Sequence, residues 1–198
     1  MAKMVDKWKA KKWYSVHAPK WFFDGKEFAE LISSDESNII GRKIEAKLSD
    51  FIGMKDVSAV YKSLVFRVSE VSAKAVGTEL IEYSLSPAYV RTLARRRRSL
   101  FYETVDAETK DGVKVRVKVV AVGGSRLSQN TKKNFRNEMQ KIIKQEVAKF
   151  SLPDFVDEFI TGRFSGGIYN QLKKIAPIFA FELRKVVFSY NKAEEGKD

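Results

Sequence analysis

The chain has 198 residues, of which 44% are hydrophobic, and a formal net charge of +12 at pH 7. This apolar content suffices for a folded core, and the excess of positive charge predicts a polyanionic partner, with nucleic acid as the first candidate. The lack of cysteine excludes disulfides, thiolate chemistry and the usual zinc ligands, and His17 is the single histidine. The sequence has no apolar run of about 18 residues and lacks the apolar centre of a signal peptide, so we expect a cytoplasmic protein. We also expect no cofactor.

Residues 1–12 predict a basic arm, because five lysines face a single acid there and the segment has no apolar periodicity. Such an arm either becomes ordered on a polyanion, releasing counterions at each phosphate contact, or is a frayed, solubilising terminus. Lys11 and Lys12 are its candidate RNA contacts. Residues 13–190 are expected to form one domain, and residues 191–198 a polar tail.

The next part of the chain predicts strands. Aromatic residues around Pro19 indicate an extended segment, whereas 26–32 fits either a short strand or a helical turn. Apolar and polar residues alternate from Gly41 to Leu48, and strands are also predicted at 61–71 and 77–85. Turn signals every 8–12 residues or so are typical of a barrel or sandwich.

Ser86 and Pro87 open a predicted helix that continues into four consecutive arginines, 95–98. On a helix, Arg91, Arg95 and Arg98 would lie opposite the apolar stripe. Part of this charge could satisfy the helix C-terminus. Four adjacent arginines repel one another unless an anion lies against them, which favours phosphate binding.

A hairpin follows, with arms at 100–109 and 113–119 and Gly112 in the turn. Valines alternate with Lys114, Arg116 and Lys118 in the second arm, so a strand would have one buried and one cationic face.

A flexible loop containing Arg126 leads to a helix predicted from Thr131 to about Phe150. Lys132, Lys133 and Arg136 are expected in its first turn, where cations oppose the helix dipole unless an anion binds. Residues 91–149 contain sixteen Lys or Arg and six acids, so the chain's excess charge is concentrated in this part.

Two more helices are predicted at 152–160 and 166–176, followed by a closing strand at 179–186. The expected fold is therefore α+β, mainly an antiparallel β-barrel or sandwich with appended helices packed on it.

Five motifs together resemble the archaeal and eukaryotic small-subunit ribosomal protein family called eS-one or S-three-a. They are Trp13-Tyr14-x-Val16-x-Ala18-Pro19-x-x-Phe22, Gly41-Arg42-x-x-Glu45-x-x-Leu48-x-Asp50-Phe51, Tyr89-Val90-Arg91-x-Leu93-x-Arg95-Arg96-Arg97, Thr109-Lys110-Asp111-Gly112-x-Lys114-Val115-Arg116-Val117-Lys118 and Ser165-x-x-Ile168-Tyr169-x-x-x-Lys173-Lys174-Ile175-x-Pro177. They occur in matching order from Trp13 to Val187.

The resemblance implies a β-barrel-like ribosomal protein, not an enzyme, on the small-subunit platform near the messenger exit. Its implied partners are small-subunit ribosomal RNA, neighbouring ribosomal proteins and messenger RNA at the exit, with no membrane. Family members often have a basic pair after the proline that matches Pro177, whereas this chain has Ile178-Phe179-Ala180, which weakens the case for RNA contact there. The loop beginning at Gly123 also has fewer arginines than the resemblance leads us to expect.

The residues expected to bind RNA are all cations. They are Lys11, Lys12, Arg95, Arg96, Arg97, Arg98, Lys114, Arg116, Lys118, Arg126, Lys132, Lys133 and Arg136.

Two alternatives use the same charge. In the first, a metal-dependent nuclease would hold magnesium with Glu103, Asp106, Glu108 and Asp111, although Glu103 alternates away from Asp106 and Glu108 along the strand. In the second, the chain would package DNA or lie on a membrane surface, but no groove-reading helix and no basic amphipathic helix with a large apolar face is evident.

Overall fold

A computed structural model describes residue 8 and residues 11–53, 57–72 and 74–190. Most of the predicted arm and the whole predicted tail lie outside the described residues, and Lys12 is the first residue of strand β1. The chain groups into two compact units, one ending at Ile81 and the other beginning at Glu82. The expectation of one domain over 13–190 stays a prediction.

The described residues of the first unit form five strands and one short α-helix. Their bounds are β1 Lys12–His17, β2 Glu27–Ser33, β3 Lys43–Lys47, α1 Leu48–Ile52, β4 Lys62–Ser72 and β5 Ala75–Leu85, of which the last crosses into the second unit. The segment around 26–32, ambiguous in sequence, is a strand that pairs antiparallel with β1. Aromatic side chains fill the core, with Phe22 within 6 Å of both Phe51 and Phe66 by ring centroids.

As far as Tyr190, the second unit contains the predicted hairpin and four α-helices. Their bounds are α2 Pro87–Leu93, β6 Leu100–Glu108, β7 Lys114–Gly123, α3 Gln129–Val147, α4 Leu152–Ile160, α5 Arg163–Lys173 and β8 Ile178–Ser189. Burial of apolar side chains places α3 and α4 on one sheet face, because the ring centroids of Phe101 and Phe135 are 4.8 Å apart, as are those of Tyr83 and Phe159. Each such buried ring contributes about 1.5–3 kcal/mol.

The strands form one mostly antiparallel sheet with the order β2-β1-β5-β8-β7-β6, and β3 and β4 branch from β5 through β4. The predicted α+β class, antiparallel pairing and appended helices are confirmed. The barrel is wrong, because β2 and β6 each pair with one strand among the described residues and do not pair with each other. All eight strands are joined by hydrogen bonds in one sheet, instead of the two sheets of a sandwich.

Three predicted helix boundaries are corrected. Helix α2 ends at Leu93, before the four arginines, and Ala94 has an extended backbone. Helix α3 begins at Gln129, because the Ser128 hydroxyl, not that of Thr131, caps it by accepting a hydrogen bond from the Thr131 amide. Helix α5 begins at Arg163 after Gly162, whose φ of 79° is unsuited to most other residues.

Candidate nucleic-acid interface

Residues 95–98, named here the arginine turn, connect α2 to β6. The Arg98 amide donates a hydrogen bond to the Arg95 carbonyl at 3.4 Å, and Arg97 has a φ of 64°, which non-glycine residues seldom adopt. Arg95, Arg96 and Arg97 are exposed, and Arg98 is half-buried. Among the described residues, none of these four side chains bonds to a carbonyl of α2, and Arg95, Arg96 and Arg97 present their charge to solvent on a defined turn.

Ser99 attaches the arginine turn to the loop that contains Arg126. The Gly123 amide donates to the Ser99 carbonyl at 2.7 Å, and the Ser99 amide donates to the Ser125 carbonyl at 3.3 Å. The Ser99 hydroxyl, in a residue only 6% exposed, accepts a hydrogen bond from the Leu127 amide at 2.9 Å. These three bonds hold two basic segments next to each other at one end of the sheet.

The basic part of α3 begins at Lys132, four residues after Ser128, which caps the helix. Lys132 and Lys133 are the fourth and fifth residues of the helix and Arg136 is the eighth, so the prediction that all three lie in the first turn is wrong. The unfavourable interaction with the helix dipole is weaker there, because it decays within the first turn. Arg136 forms an ion pair with Glu103 at 3.1 Å and is thereby partly neutralised.

We name the arginine turn, Arg126, Lys132 and Lys133 together the basic end. None of these seven side chains forms an ion pair with another described residue. Ser99 and the Ser128 cap fix the backbone that carries these side chains. The backbone therefore cannot move to reduce the repulsion between the cations. The basic end is therefore a cluster of positive charge on a fixed backbone.

The hairpin confirms the predicted alternation: Lys114, Arg116 and Lys118 share one face of β7, and Gly112 in the turn has a φ of 75°. Strand β6, however, places Glu108 opposite Lys114 and Asp106 opposite Arg116. Arg116 binds Asp106 through two hydrogen bonds of 2.6 and 3.2 Å, which lower the pKa of the Asp106 carboxyl below its ordinary value. The hairpin face is therefore much closer to neutral than β7 alone predicts.

The structure also separates the hairpin cations from the basic end. Strand β6 begins beside the arginine turn and runs to Glu108, the partner of Lys114. Strand steps of about 3.4 Å put Lys114, eight steps along, about 27 Å from the start of β6, and Lys118, opposite Thr104, about 14 Å from it. Lys11 and Lys12 belong to the first unit, where the Lys11 ammonium lies 3.8 Å from the centroid of the Trp8 ring.

Three of the four carboxylates of the nuclease alternative have separate partners, and the fourth, Glu108, lies opposite Lys114 in the hairpin. Glu103 faces α3, where Gln140 donates to it at 2.9 Å in addition to its ion pair with Arg136. Asp106 lies on the opposite sheet face with Arg116, while Asp111 accepts a hydrogen bond from the Leu152 amide at 2.7 Å. Within the described ranges, no three acidic or histidine side chains group into a metal site.

One candidate residue was missed by the sequence interpretation. Phe179 of β8 is 53% exposed, and the Arg98 guanidinium lies 3.8 Å from the centroid of its ring. The departure at Ile178-Phe179-Ala180 had weakened the case for RNA contact at this position. The replacement of the basic pair was the feature of the sequence that marked this position. Nothing local in the sequence indicates that Arg98 covers the Phe179 ring.

Comparison with known proteins adds to the geometry. The model of the Ribosomal S3Ae family matches residues 1–190. The chain belongs to the Ribosomal S3Ae family. This is a ribosomal protein family and not a family of enzymes, so the predicted resemblance and the expected lack of catalysis are both confirmed.

Three relatives of this S3Ae protein are named small ribosomal subunit protein eS1. The one from Archaeoglobus fulgidus is 32% identical over 193 residues, covering 98% of this chain and 91% of its own. Those from Picrophilus torridus and Saccharolobus islandicus are 33% and 34% identical over 180 residues, each covering 91% of this chain and 85% of its own. In the described part of the S3Ae chain, every helix is too short or too polar to span a bilayer.

Proposed function

We propose that this S3Ae chain is a structural constituent of the small ribosomal subunit and binds ribosomal RNA through the basic end. The observation that supports this most directly is the set of seven cations without an ion-pair partner among the described residues, held by Ser99 and Ser128. Binding of RNA to such a surface is favourable, because phosphates neutralise cations that otherwise repel one another and because counterions are released from the RNA.

RNA contact of this kind is made to the backbone and to shape more than to sequence. Arginine and lysine contact phosphates and position the protein, whereas a sequence-specific contact needs access to base edges. The guanidinium groups of Arg95, Arg96 and Arg97 can each donate two hydrogen bonds to phosphate oxygens. The hairpin face, balanced by Asp106 and Glu108, contributes less to this binding.

Family membership supports the location that we propose. The names of the relatives support assignment to the small subunit, and the motif resemblance supports a place on the platform near the messenger exit, in the cytoplasm. Neighbouring small-subunit proteins and messenger RNA at the exit are further partners there. The alternatives of a nuclease and of a DNA-packaging protein have no comparable support.

Two measurements test the proposal. In cell extract the protein is expected to sediment with small subunits at low salt. Its affinity for small-subunit ribosomal RNA should fall with salt, with a slope of log K against log [salt] of about −3 to −6 for four to seven phosphate contacts. A nearly flat slope, or equal affinity for duplex DNA in competition at physiological salt, would contradict the proposal.

A further inference from the structure

Phe179 is exposed because β8 contains a bulge at this point. Ile178 pairs with Gly123 and Ala180 pairs with Val122, so Phe179 is the extra residue between two paired positions. Bulges redirect a side chain relative to the regular alternation of a strand. Its neighbours Ile178 and Phe181 are buried in the core, whereas the Phe179 ring is aimed outward.

The ring is held by rigid surroundings. The Tyr169 hydroxyl donates to the Ile178 carbonyl at 3.3 Å, and the Gly124 amide donates to the Pro177 carbonyl at 2.8 Å. Arg98 covers part of the ring at 3.8 Å and itself belongs to the arginine turn. An exposed phenylalanine alone is ordinary. Phe179, however, stacks with an arginine of the basic end, so an aromatic surface lies beside the proposed phosphate contacts.

We propose that the Arg98–Phe179 pair binds one unpaired RNA base by stacking, while Arg95, Arg96 and Arg97 bind the phosphates next to it. Aromatic rings and arginine planes are the surfaces on which proteins stack splayed-out bases, and a base inside a duplex cannot reach them. The ligand is therefore a bulged or single-stranded nucleotide. This inference rests on the proposed RNA-binding function and gives the kind of RNA that this end of the protein recognises.

The test is a double-mutant cycle between the protein and a defined RNA. The probes are an RNA hairpin with a single bulged adenosine and the same hairpin with an abasic nucleotide at the bulge. The wild-type protein is expected to bind the adenosine bulge about 5- to 100-fold more tightly than the abasic one, the range that one stacked base supplies. Phe179→Ala is expected to bind both RNAs equally.

Variants that retain part of the pair separate stacking from packing and charge. Phe179→Trp should keep the preference for the adenosine bulge, whereas Phe179→Leu, which remains apolar but lacks a ring, should lose it. Arg98→Lys should reduce the preference while keeping the charge, because a lysine has no planar group to stack. The two Phe179 variants should keep the thermal midpoint of the wild type within a few degrees, since Phe179 is exposed, and Arg98→Lys should do so because it keeps the charge and most of the side-chain length.

The salt slope distinguishes failure of this inference from failure of the proposed function. Phe179→Ala removes no charge, so its slope should equal that of the wild type even as its preference disappears. If the slope is steep but the abasic substitution changes binding equally with both proteins, the stacking inference is wrong and RNA binding stands. If Phe179→Ala binds both RNAs like the wild type but fails to enter small subunits, Phe179 contacts a protein and the inference is overturned.

Discussion

The Ser99 carbonyl accepts a hydrogen bond of 2.7 Å from the Gly123 amide, joining the residue before β6 to the last residue of β7. The same serine accepts the Leu127 amide through its hydroxyl. The two basic segments on either side of the hairpin are therefore fixed by one small residue. The side chains on these irregular segments are therefore positioned by the sheet to which the segments are bonded.

Ser99→Ala is expected to lower the free energy of unfolding by about 1 kcal/mol, because the partly buried Leu127 amide loses its acceptor. RNA affinity should also fall, since the loop that carries Arg126 is less well held. Ser189→Ala, at an exposed position of β8, is the matched control and should change stability by less than about 0.5 kcal/mol. Equal urea midpoints for the two variants would refute the role given to Ser99.

Removing charge at the basic end should matter more than removing the same charge from the hairpin. Replacing Arg95, Arg96 and Arg97 by alanine is expected to reduce the magnitude of the salt slope by about 2–3. Alanine at Lys114, Arg116 and Lys118 also removes three charges but leaves Asp106 and Glu108 in place. That second variant should reduce the slope by less than about 1, and a filter-binding titration in which both variants lose equally would contradict the placement of the interface.

Glu146 makes stability depend on pH. Burial raises the pKa of its carboxyl, but hydrogen bonds from Lys149 at 2.8 Å and Gln171 at 2.9 Å lower it more, so the pKa lies below its ordinary value of 4.5. This stabilisation is present above the ordinary pKa and disappears as pH falls through the folded-state pKa. Glu146→Gln should therefore cost about 1 kcal/mol at pH 7, and the difference from wild type should shrink as pH falls below 4.5.

Glu138→Gln is the control for that comparison. Glu138 pairs with Lys141 on an exposed part of α3, so its substitution should cost less than about 0.5 kcal/mol at pH 7. Urea unfolding at pH 7 and pH 3 measures both variants. A Glu146→Gln penalty that persists unchanged at pH 3 would show that its effect is not electrostatic.

Asp111 is expected to act in folding and not in metal binding. Its carboxylate accepts the Leu152 amide, which belongs to the first turn of α4, and so joins the hairpin turn to that helix. Asp111→Ala should cost about 1–2 kcal/mol, because a helix amide loses its acceptor. Asp111→Asn retains an acceptor oxygen and should recover most of this in a denaturant titration, whereas magnesium should leave the midpoint of the wild type unchanged.

The regular elements were predictable where local pattern and packing agree. Alternation in β7, the turn at Gly112 and helix α4 after its proline all require little more than periodicity and turn chemistry. The end of α2 was not predictable in this way, because arginine is a good helix former and nothing local stops the helix. Packing of Leu93 against Val120 and Val122 fixes the helix end instead, and the chain must then turn to enter β6.

The charge of the hairpin face shows a different limit. Once the turn is placed at Gly112, the register brings Asp106 opposite Arg116, so the sequence contained this signal although strand-by-strand interpretation did not use it. The Arg98–Phe179 pair had no such signal. It depends on a bulge in β8 and on contact between residues 81 positions apart, which only the assembled sheet provides.

Strand β7 lies between β6 and β8, and its residues from Val119 to Gly123 are buried on both faces. Backbone amides in such a stretch exchange with solvent deuterium only when much of the surrounding structure opens. The arginine turn is followed directly by Ser99, which is bonded to Gly123, so we expect it to lie next to the slowest-exchanging part of its unit. Binding at this end would therefore cost little conformational entropy in the protein, and any folding that accompanies binding would occur in the RNA.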